Sequence, residues 1–139
     1  MALIMVIDDS EDMRRLMRSL LGFLEHTAVT FSLATDALEY LDQPGNDLPD
    51  LIISDYMMPE MDGLECLRHL RGSQCGRDIP VVLFTADDDP GLKARARGAG
   101  ADTLWLKTQM DLPAIRTGIE KLVRKACLSE SFLELACAI

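Results

Sequence analysis

The sequence predicts an α/β fold in which five parallel strands form one sheet covered by helices on both faces. Strand-like and helix-like patterns alternate along the whole chain, which is the order typical of such sheets. With 139 residues, of which 48% are hydrophobic, the chain is long enough for one domain with a substantial core. Residues of chemical interest follow four of the apolar runs, where parallel α/β sheets bind their ligands.

Five short apolar runs, bounded by polar or turn-forming residues, indicate the strands. The fourth run is continuously apolar, as expected for a parallel strand that is buried on both faces. The predicted strands are Leu3–Ile7, Thr27–Ser32, Leu51–Ser54, Ile79–Phe84 and Thr103–Leu106.

The first helix is predicted by its start signal and by its apolar periodicity. Ser10 is a favourable N-cap residue, and Glu11 and Asp12 follow it in the first turn, near the positive end of the helix dipole. Six apolar residues at helical spacing predict the buried face: Met13, Leu16, Met17, Leu20, Leu21 and Leu24.

Four further helices follow the remaining strands. The last is expected to be capped by Asp111, with Pro113 tolerated in its first turn. Gly63 and Gly98 are interpreted as residues that the backbone geometry requires rather than as ligands. The predicted ranges of the second, third and fourth helices are Thr35–Leu41, Leu64–Arg71 and Pro90–Gly98.

Composition and charge argue against several classes of function. The formal net charge of −9 argues against general nucleic-acid binding, which depends on clustered Lys and Arg. No apolar stretch approaches the roughly 20 residues of a membrane span, and the run before Asp8 lacks the basic flank of a signal peptide. The four cysteines show no metal-binding spacing, so reduced thiols and a cytoplasmic location are expected.

The alternating pattern is complete by residue 126, and residues 127–139 form a separate tail. Ser131 and Glu134 match a capping box, which predicts a short helix. Packing of this helix on its own domain is the simpler interpretation, and an apolar surface for a homodimer or another partner is the alternative. The apolar residues on one helical face of the tail are Leu128, Phe132, Leu135, Ala136 and Ile139.

Five residues at the ends of predicted strands form the candidate site. Asp8 and Asp9 follow the first strand, Asp55 the third, Thr85 the fourth and Lys107 the fifth. Because the carboxyl ends of neighbouring parallel strands gather at one edge of the sheet, these side chains are expected in one crevice. Three carboxylates, a hydroxyl and an ammonium suit a site that binds a divalent cation and neutralises a phosphoryl group.

Asp55 is the candidate nucleophile of this site, because a carboxylate can form an aspartyl phosphate. Asp8 and Asp9 supply oxygen ligands of the kind that Mg²⁺ prefers. Lys107 can neutralise phosphoryl charge, and Thr85 can donate a hydrogen bond to a phosphoryl oxygen.

The segments that carry these residues resemble the receiver domain of bacterial two-component response regulators. The similarity covers about residues 2–125, and Asp55–Gly63 (DYMMPEMDG) is its most specific part. The resemblance implies a flavodoxin-like fold with strand order 2-1-3-4-5. The other matching segments are Val6–Ser10, Ile79–Ala86 and Gly98–Asp102, which leads to Lys107.

For function, the resemblance implies a phosphoacceptor module of a two-component or phosphorelay system. Asp55 would accept phosphate from a phosphohistidine on a histidine kinase or a histidine phosphotransfer protein. The resemblance also implies Mg²⁺ as the cofactor. Its ligands would be Asp8, Asp9, Asp55 and the backbone carbonyl of Met57.

The same resemblance assigns the remaining site residues and the output surface. Thr85 and Lys107 would contact the phosphoryl group, and a downstream protein would bind the face of the fourth helix, fifth strand and fifth helix. Such a module is a regulator that catalyses only its own phosphorylation and dephosphorylation, not a conventional enzyme. No direct nucleic-acid or membrane partner is implied.

Two positions near Lys107 depart from the family pattern. Thr108 follows the lysine where the family usually has proline, and Leu104 stands where Tyr or Phe is common. Trp105 is adjacent to Leu104, but strand alternation points it to the opposite face of the sheet. A degenerate receiver that binds partners without phosphorylation is therefore kept as the alternative function.

A phosphatase of the haloacid-dehalogenase type is the other interpretation of an aspartyl nucleophile. That family has a second Asp two residues after the nucleophile, where this chain has Met57. A stand-alone regulator and a receiver cut from a larger protein are both compatible with the sequence.

Overall fold

A computed structural model describes residues 1–124, whose five strands form one parallel sheet. The strand order is β2-β1-β3-β4-β5, and every neighbouring pair is parallel. This flavodoxin-like order confirms the predicted fold class. The strands are β1 (Leu3–Ile7), β2 (Thr27–Phe31), β3 (Leu51–Ser54), β4 (Val81–Thr85) and β5 (Thr103–Leu106).

A helix follows each strand. Ser10 caps the first helix by accepting a hydrogen bond from the Met13 N–H, and Asp111 caps the last by accepting one from the Ala114 N–H. The predicted tail, residues 127–139, lies outside the described residues. The helices are α1 (Glu11–Phe23), α2 (Ala34–Asp42), α3 (Gly63–Gly72), α4 (Pro90–Ala99) and α5, which covers residues 112–124 of the described chain.

The helices cover the sheet unequally. On one face α2, α3 and α4 pack over residues such as Met5, Ile52 and Leu83. On the other face α1 and α5 pack over a second cluster that includes Ile53 and Trp105. The sheet is therefore covered by helices on both faces. Within residues 1–124, no helix combines the length and apolar composition needed to cross a bilayer.

One prediction for the core and one strand boundary are wrong. Leu16 is 56% exposed, because α1 packs through Met17 and Leu21, and residue 16 lies one hundred degrees around the helix from Met17. The fourth strand begins at Val81 and not at Ile79, because the Ile79 carbonyl accepts a hydrogen bond from Arg71 and so belongs to the preceding loop.

Of the two glycines singled out in the sequence, only Gly63 is required by the backbone. A Cβ at Gly98 would meet nothing within 4 Å. The special position is Gly100, the C-cap of α4, which has a φ of 111°. A left-handed C-cap of this kind favours glycine, and the helix ends at Ala99, one residue later than predicted.

Candidate functional site

Strand register brings the predicted site residues to the carboxyl edge of the sheet. Ile7 pairs with Ser54, so Asp8 and Asp55 follow neighbouring strands at the same level. The Asp55 N–H donates to the Ile7 carbonyl over 2.8 Å. At the same edge, between the neighbouring strands β4 and β5, the Lys107 N–H donates to the Thr85 carbonyl, also over 2.8 Å. Backbone pairing therefore fixes the start of the loops after β1, β3 and β5.

Asp8, Asp9 and Asp55 converge, as predicted. One carboxylate oxygen from each residue lies within 4.8 Å of the other two. Asp8 is 2% exposed and Asp55 9% exposed, whereas Asp9 is exposed to solvent. Three hard oxygen donors arranged on one side fit Mg²⁺, which binds through a few carboxylates and keeps open positions for water or phosphate oxygens.

The environment of Asp55 favours its neutral form. Burial raises the pKa of the Asp55 carboxyl, and the negative charge of Asp8 raises it further. Lys107 and the Tyr56 N–H, which donates to Asp55 Oδ1 over 2.8 Å, act in the opposite direction. A bound cation would relieve the repulsion between the two carboxylates, so the electrostatics of the site favour metal binding.

Lys107 contacts two of the three carboxylates in the cluster. Its Nζ lies 3.0 Å from Asp8 Oδ2 and 3.5 Å from Asp55 Oδ2. The same ammonium lies 5.7 Å from the centroid of the Phe84 ring, within the range of a cation–π contact. Since one ammonium faces two buried carboxylates, Lys107 partly neutralises the charge that a divalent cation would neutralise more fully.

Asp8 is held by three further hydrogen bonds. Its Oδ1 accepts from the Ser10 N–H over 2.9 Å, and its own N–H donates to the Phe31 carbonyl over 3.0 Å. Its backbone carbonyl accepts from Arg14 over 2.8 Å. Sequence reasoning missed Arg14. The available signal was a basic residue five positions after the acidic pair, which is too common to be diagnostic.

Thr85 lies at the end of β4 and is 2% exposed. Its hydroxyl accepts a hydrogen bond from the Asp87 N–H over 3.1 Å. A threonine hydroxyl that accepts a bond can still donate its own hydrogen, so Thr85 remains able to bind an oxygen atom. Thr85 and Lys107 are thus joined through the backbone, and each has a polar group at the sheet edge.

A close approach between the backbone after Asp55 and the first residue of α3 fixes the conformation of the loop that joins them. The Gly63 N–H donates to the Tyr56 carbonyl over 2.8 Å. A Cβ on Gly63 would lie 2.4 Å from the Asp55 carbonyl oxygen, so no larger residue fits without displacing the loop. Met57, within this loop, has a side chain that is 67% exposed. The glycine of the DYMMPEMDG segment therefore positions Asp55.

Leu104 and Trp105 point in opposite directions, as strand alternation predicts. Leu104 packs with the cluster beneath α2, α3 and α4, and Trp105 is buried with the cluster beneath α1 and α5. The Trp105 ring meets Phe84 edge-on at 6.3 Å between centroids. The aromatic ring therefore does not replace the Tyr or Phe that is common at position 104.

Comparisons with known proteins agree with this geometry. The model of the response regulator receiver domain family matches residues 4–120. Response regulator MprA of Mycobacterium tuberculosis is 39% identical over 122 residues, which are 88% of this chain and 50% of that protein. The chain thus spans about half the length of the curated relatives that it matches.

Solved structures include similar domains. The signal receiver domain of a signal transduction histidine kinase from Syntrophus aciditrophicus is 29% identical, with a TM-score of 0.79 over 90% of this chain and 92% of that one. The chemotaxis protein CheY4 of Vibrio cholerae, at 24% identity, has the same fold, with a TM-score of 0.77 over 88% of this chain and 98% of that one. The family match, the MprA relatives and the sheet order together place this chain in the response regulator receiver domain family.

Proposed function

We propose that this domain is a phosphoacceptor module in which Asp55 receives a phosphoryl group from a phosphohistidine of a histidine kinase or a histidine phosphotransfer protein. The observation that supports this most strongly is the position of Asp55. Its carboxylate is almost buried at the sheet edge, faces Lys107 at 3.5 Å and shares a cluster with Asp8 and Asp9. Phosphoryl transfer requires positioning and charge neutralisation of this kind.

In the proposed step, an oxygen of the ionised Asp55 carboxylate attacks phosphorus while the bond between phosphorus and the histidine nitrogen breaks. The electron pair of that bond stays on the imidazole, which takes up a proton, and the product is an aspartyl phosphate. Burial raises the pKa of Asp55, and nearby cations act in the opposite direction by favouring the ionised carboxylate that attacks.

The proposed Mg²⁺ ligands are Asp8, Asp9, Asp55 and the backbone carbonyl of Met57. When bound, the ion would neutralise charge on the phosphoryl oxygens. Asp8 is already oriented for this role by the hydrogen bonds from Ser10 and Arg14. The exposed Asp9 leaves one side of the site open to water and to the donor.

Thr85 and Lys107 are proposed to bind the phosphoryl oxygens after transfer. For Lys107 this requires a move away from Asp8, to which it donates over 3.0 Å in the described state. For Thr85 it requires only a donor hydrogen, since the hydroxyl accepts its present bond from Asp87. These new charge-assisted contacts would draw the loops after β4 and β5 toward Asp55 and switch the domain.

The output of the switch is proposed to be a protein-binding face formed by α4, β5 and α5. Phosphorylation would change this face because β5 leads directly to Lys107 and the β4–α4 loop begins beyond Thr85. The domain would act in the cytoplasm as a regulator of a two-component or phosphorelay pathway, changing only its own phosphorylation state. It would do so alone or as part of a longer response regulator.

A phosphorylation-independent interaction module is the second candidate function. The partly buried Leu104 favours it, because that side chain packs beneath α4 and offers no aromatic ring to follow a movement of Thr85. Under this alternative, binding of a partner would not depend on the chemical state of Asp55.

Intact mass spectrometry after incubation with acetyl phosphate tests the proposed function. We expect one phosphoryl group on the wild-type chain in the presence of Mg²⁺ and none with EDTA. Asp55→Asn should remain unmodified, whereas Asp36→Asn, an exposed substitution in the first turn of α2, should behave as wild type. If neither the wild type nor Asp36→Asn gains mass, binding of beryllofluoride, followed by Trp105 fluorescence, decides between the two candidate functions. Absence of that response would favour the interaction module.

A further inference from the structure

The loop between β4 and α4 is exposed to solvent, yet a continuous chain of hydrogen bonds runs through it from Thr85. The Asp87 N–H donates to the Thr85 hydroxyl over 3.1 Å. The Asp89 N–H donates in turn to Asp87 Oδ1 over 3.0 Å, and the Gly91 N–H donates to Asp89 Oδ1, also over 3.0 Å. Each bond joins residues two positions apart, so together they reach from the end of β4 into α4. We call these three bonds the loop tether.

The far end of the loop tether is fixed to the start of α4. Asp89 is the N-cap of this helix, and its Oδ2 accepts a hydrogen bond from Arg95 over 3.3 Å. Pro90 follows as the first residue of the helix, and its ring restricts the backbone there. A displacement of Asp89 is therefore passed to α4 rather than absorbed within the loop.

The near end of the loop tether is the Thr85 hydroxyl, which is proposed above to bind a phosphoryl oxygen. Within the tether this hydroxyl acts as an acceptor, so its own hydrogen stays available for the phosphoryl group. Thr85 can make both bonds at once, and its movement toward Asp55 would draw Asp87 with it. Leu104 stands at the position where an aromatic residue is common, and its apolar side chain cannot form a hydrogen bond with this loop.

We propose that Asp87 is a positioning residue that transmits the movement of Thr85 to α4 through the loop tether. The proposal rests on the proposed phosphorylation of Asp55 and names a route from that site to the output face. The role requires the acceptor oxygen of the Asp87 side chain and not its charge. The neighbouring Asp88 is also exposed and acidic, but it takes no part in the three bonds of the tether.

Amide chemical shifts measured by NMR before and after addition of Mg²⁺ and beryllofluoride to the full chain test this role. In the wild type we expect the amide signals of Lys107, at the site, and of Gly91, in α4, to shift. Asp87→Ala removes the acceptor in the middle of the tether. The Gly91 shift should then fall severalfold, whereas the Lys107 shift should keep its wild-type size. The amide signals of the remaining chain verify that the variant is folded.

Two variants that lose the same charge as Asp87→Ala are the controls. Asp87→Asn retains a side-chain oxygen that can accept the Asp89 N–H, and Asp88→Ala leaves the tether intact, so both should show the wild-type Gly91 shift. A full Gly91 shift in Asp87→Ala would overturn the proposal. So would an equal loss in either control, or a parallel loss of the Gly91 and Lys107 shifts in Asp87→Ala.

Intact mass after incubation with acetyl phosphate and Mg²⁺ separates a failure of the tether from a failure of the proposed function. The wild type and all three variants should gain one phosphoryl group, since the substitutions leave the carboxylate cluster and Lys107 in place. Phosphorylation of the wild type without the selective loss at Gly91 would overturn the tether alone. A wild type with neither a mass gain nor a Lys107 shift would overturn the proposed phosphorylation, and the tether with it.

Discussion

At the carboxyl edge of the sheet, two buried carboxylates, of Asp8 and Asp55, face the ammonium of Lys107. Near the amino ends of β4 and β5, by contrast, the guanidinium of Arg71 meets a full set of acceptors. Arg71 donates to Asp102 over 3.1 Å and to four backbone carbonyls. The carbonyls belong to Gly76, Arg77, Ile79 and Gly100, at 2.7–3.2 Å. We call this group of contacts the Arg71 clamp.

The two ends differ in how completely their charges are compensated. In the Arg71 clamp, Asp102 also accepts from the Val81 N–H over 2.9 Å, so one ion pair joins α3, β4 and the C-terminus of α4. In the site, burial and the charge of Asp8 raise the pKa of Asp55. The charged groups are therefore well partnered at the amino end of the sheet and less completely compensated at the carboxyl edge, and α4 connects the two ends.

The largest effect is expected from breaking the Arg71 clamp. Arg71→Met leaves several carbonyls and the half-buried Asp102 carboxylate without their donor, and we expect the free energy of unfolding to fall by about 3 kcal/mol. Arg77→Met is the control, because the ion pair of Arg77 with Asp78 is exposed and 3.8 Å long. Urea denaturation measures both. A loss no greater than that of the control would contradict the description of the clamp.

In the absence of metal, Asp55→Asn is expected to change stability less than Arg71→Met does, and to increase it. The folded-state pKa of Asp55 lies above its unfolded value, so folding favours the protonated form. The resulting loss of folding stability is absent below the pKa of Asp55 in the unfolded chain and fully present above its pKa in the folded chain. We therefore expect the amide to raise the melting temperature at pH 7 and to change it little at pH 3. A variant less stable than wild type at pH 7 would argue against uncompensated charge in the site.

Replacing Lys107 should change the affinity of the site for Mg²⁺. Lys107→Met removes the cation that faces both Asp8 and Asp55, and we expect Mg²⁺ to bind severalfold more tightly, because it no longer competes with Lys107. Calorimetric titration measures this affinity, with the exposed Lys93→Met as the matched control. Weaker binding in Lys107→Met would mean that the lysine supports the metal site rather than competing with it.

The smallest effect concerns His26, which lies between α1 and β2. His26 Nδ1 accepts a hydrogen bond from the Ala2 N–H over 3.0 Å, and burial lowers the pKa of His26. Folding therefore favours neutral imidazole, and its contribution to stability is present above the unfolded pKa and lost as the pH falls through the mildly acidic range. The difference in unfolding free energy between wild type and His26→Gln should shrink between pH 7.5 and 5.5. A difference that stays constant would contradict this role.

The sequence predicted those features that depend on topology. Strands β3 and β5 begin and end at the predicted residues, and the convergence of Asp8 and Asp55 follows from any parallel order that makes their strands neighbours. Features that depend on the reach of long side chains were not predictable. The bond from Arg14 to the Asp8 carbonyl requires the exact placement of the first turn of α1.

The Arg71 clamp was missed for a related reason. Four of its five acceptors are backbone carbonyls, which every residue has, so no residue type in the sequence marks them. The exposure of Leu16 was missed because six apolar positions around α1 span a wider arc than the sheet covers. Periodicity identifies a helix and its general buried side, but the neighbours in the fold decide which residues at the margin are covered.

The central claim is that α4 connects the proposed phosphorylation site around Asp55 to the Arg71 clamp, which stays fixed. Hydrogen exchange with and without Mg²⁺ and beryllofluoride, a mimic of the phosphoryl group, tests this claim most directly. We expect slower exchange in the loop over residues 86–89 and the first turn of α4, with no change over Ala99–Asp102 beside the Arg71 clamp. Asp55→Asn should show neither effect. Equal changes at both ends of α4, or a response that persists in Asp55→Asn, would contradict the account.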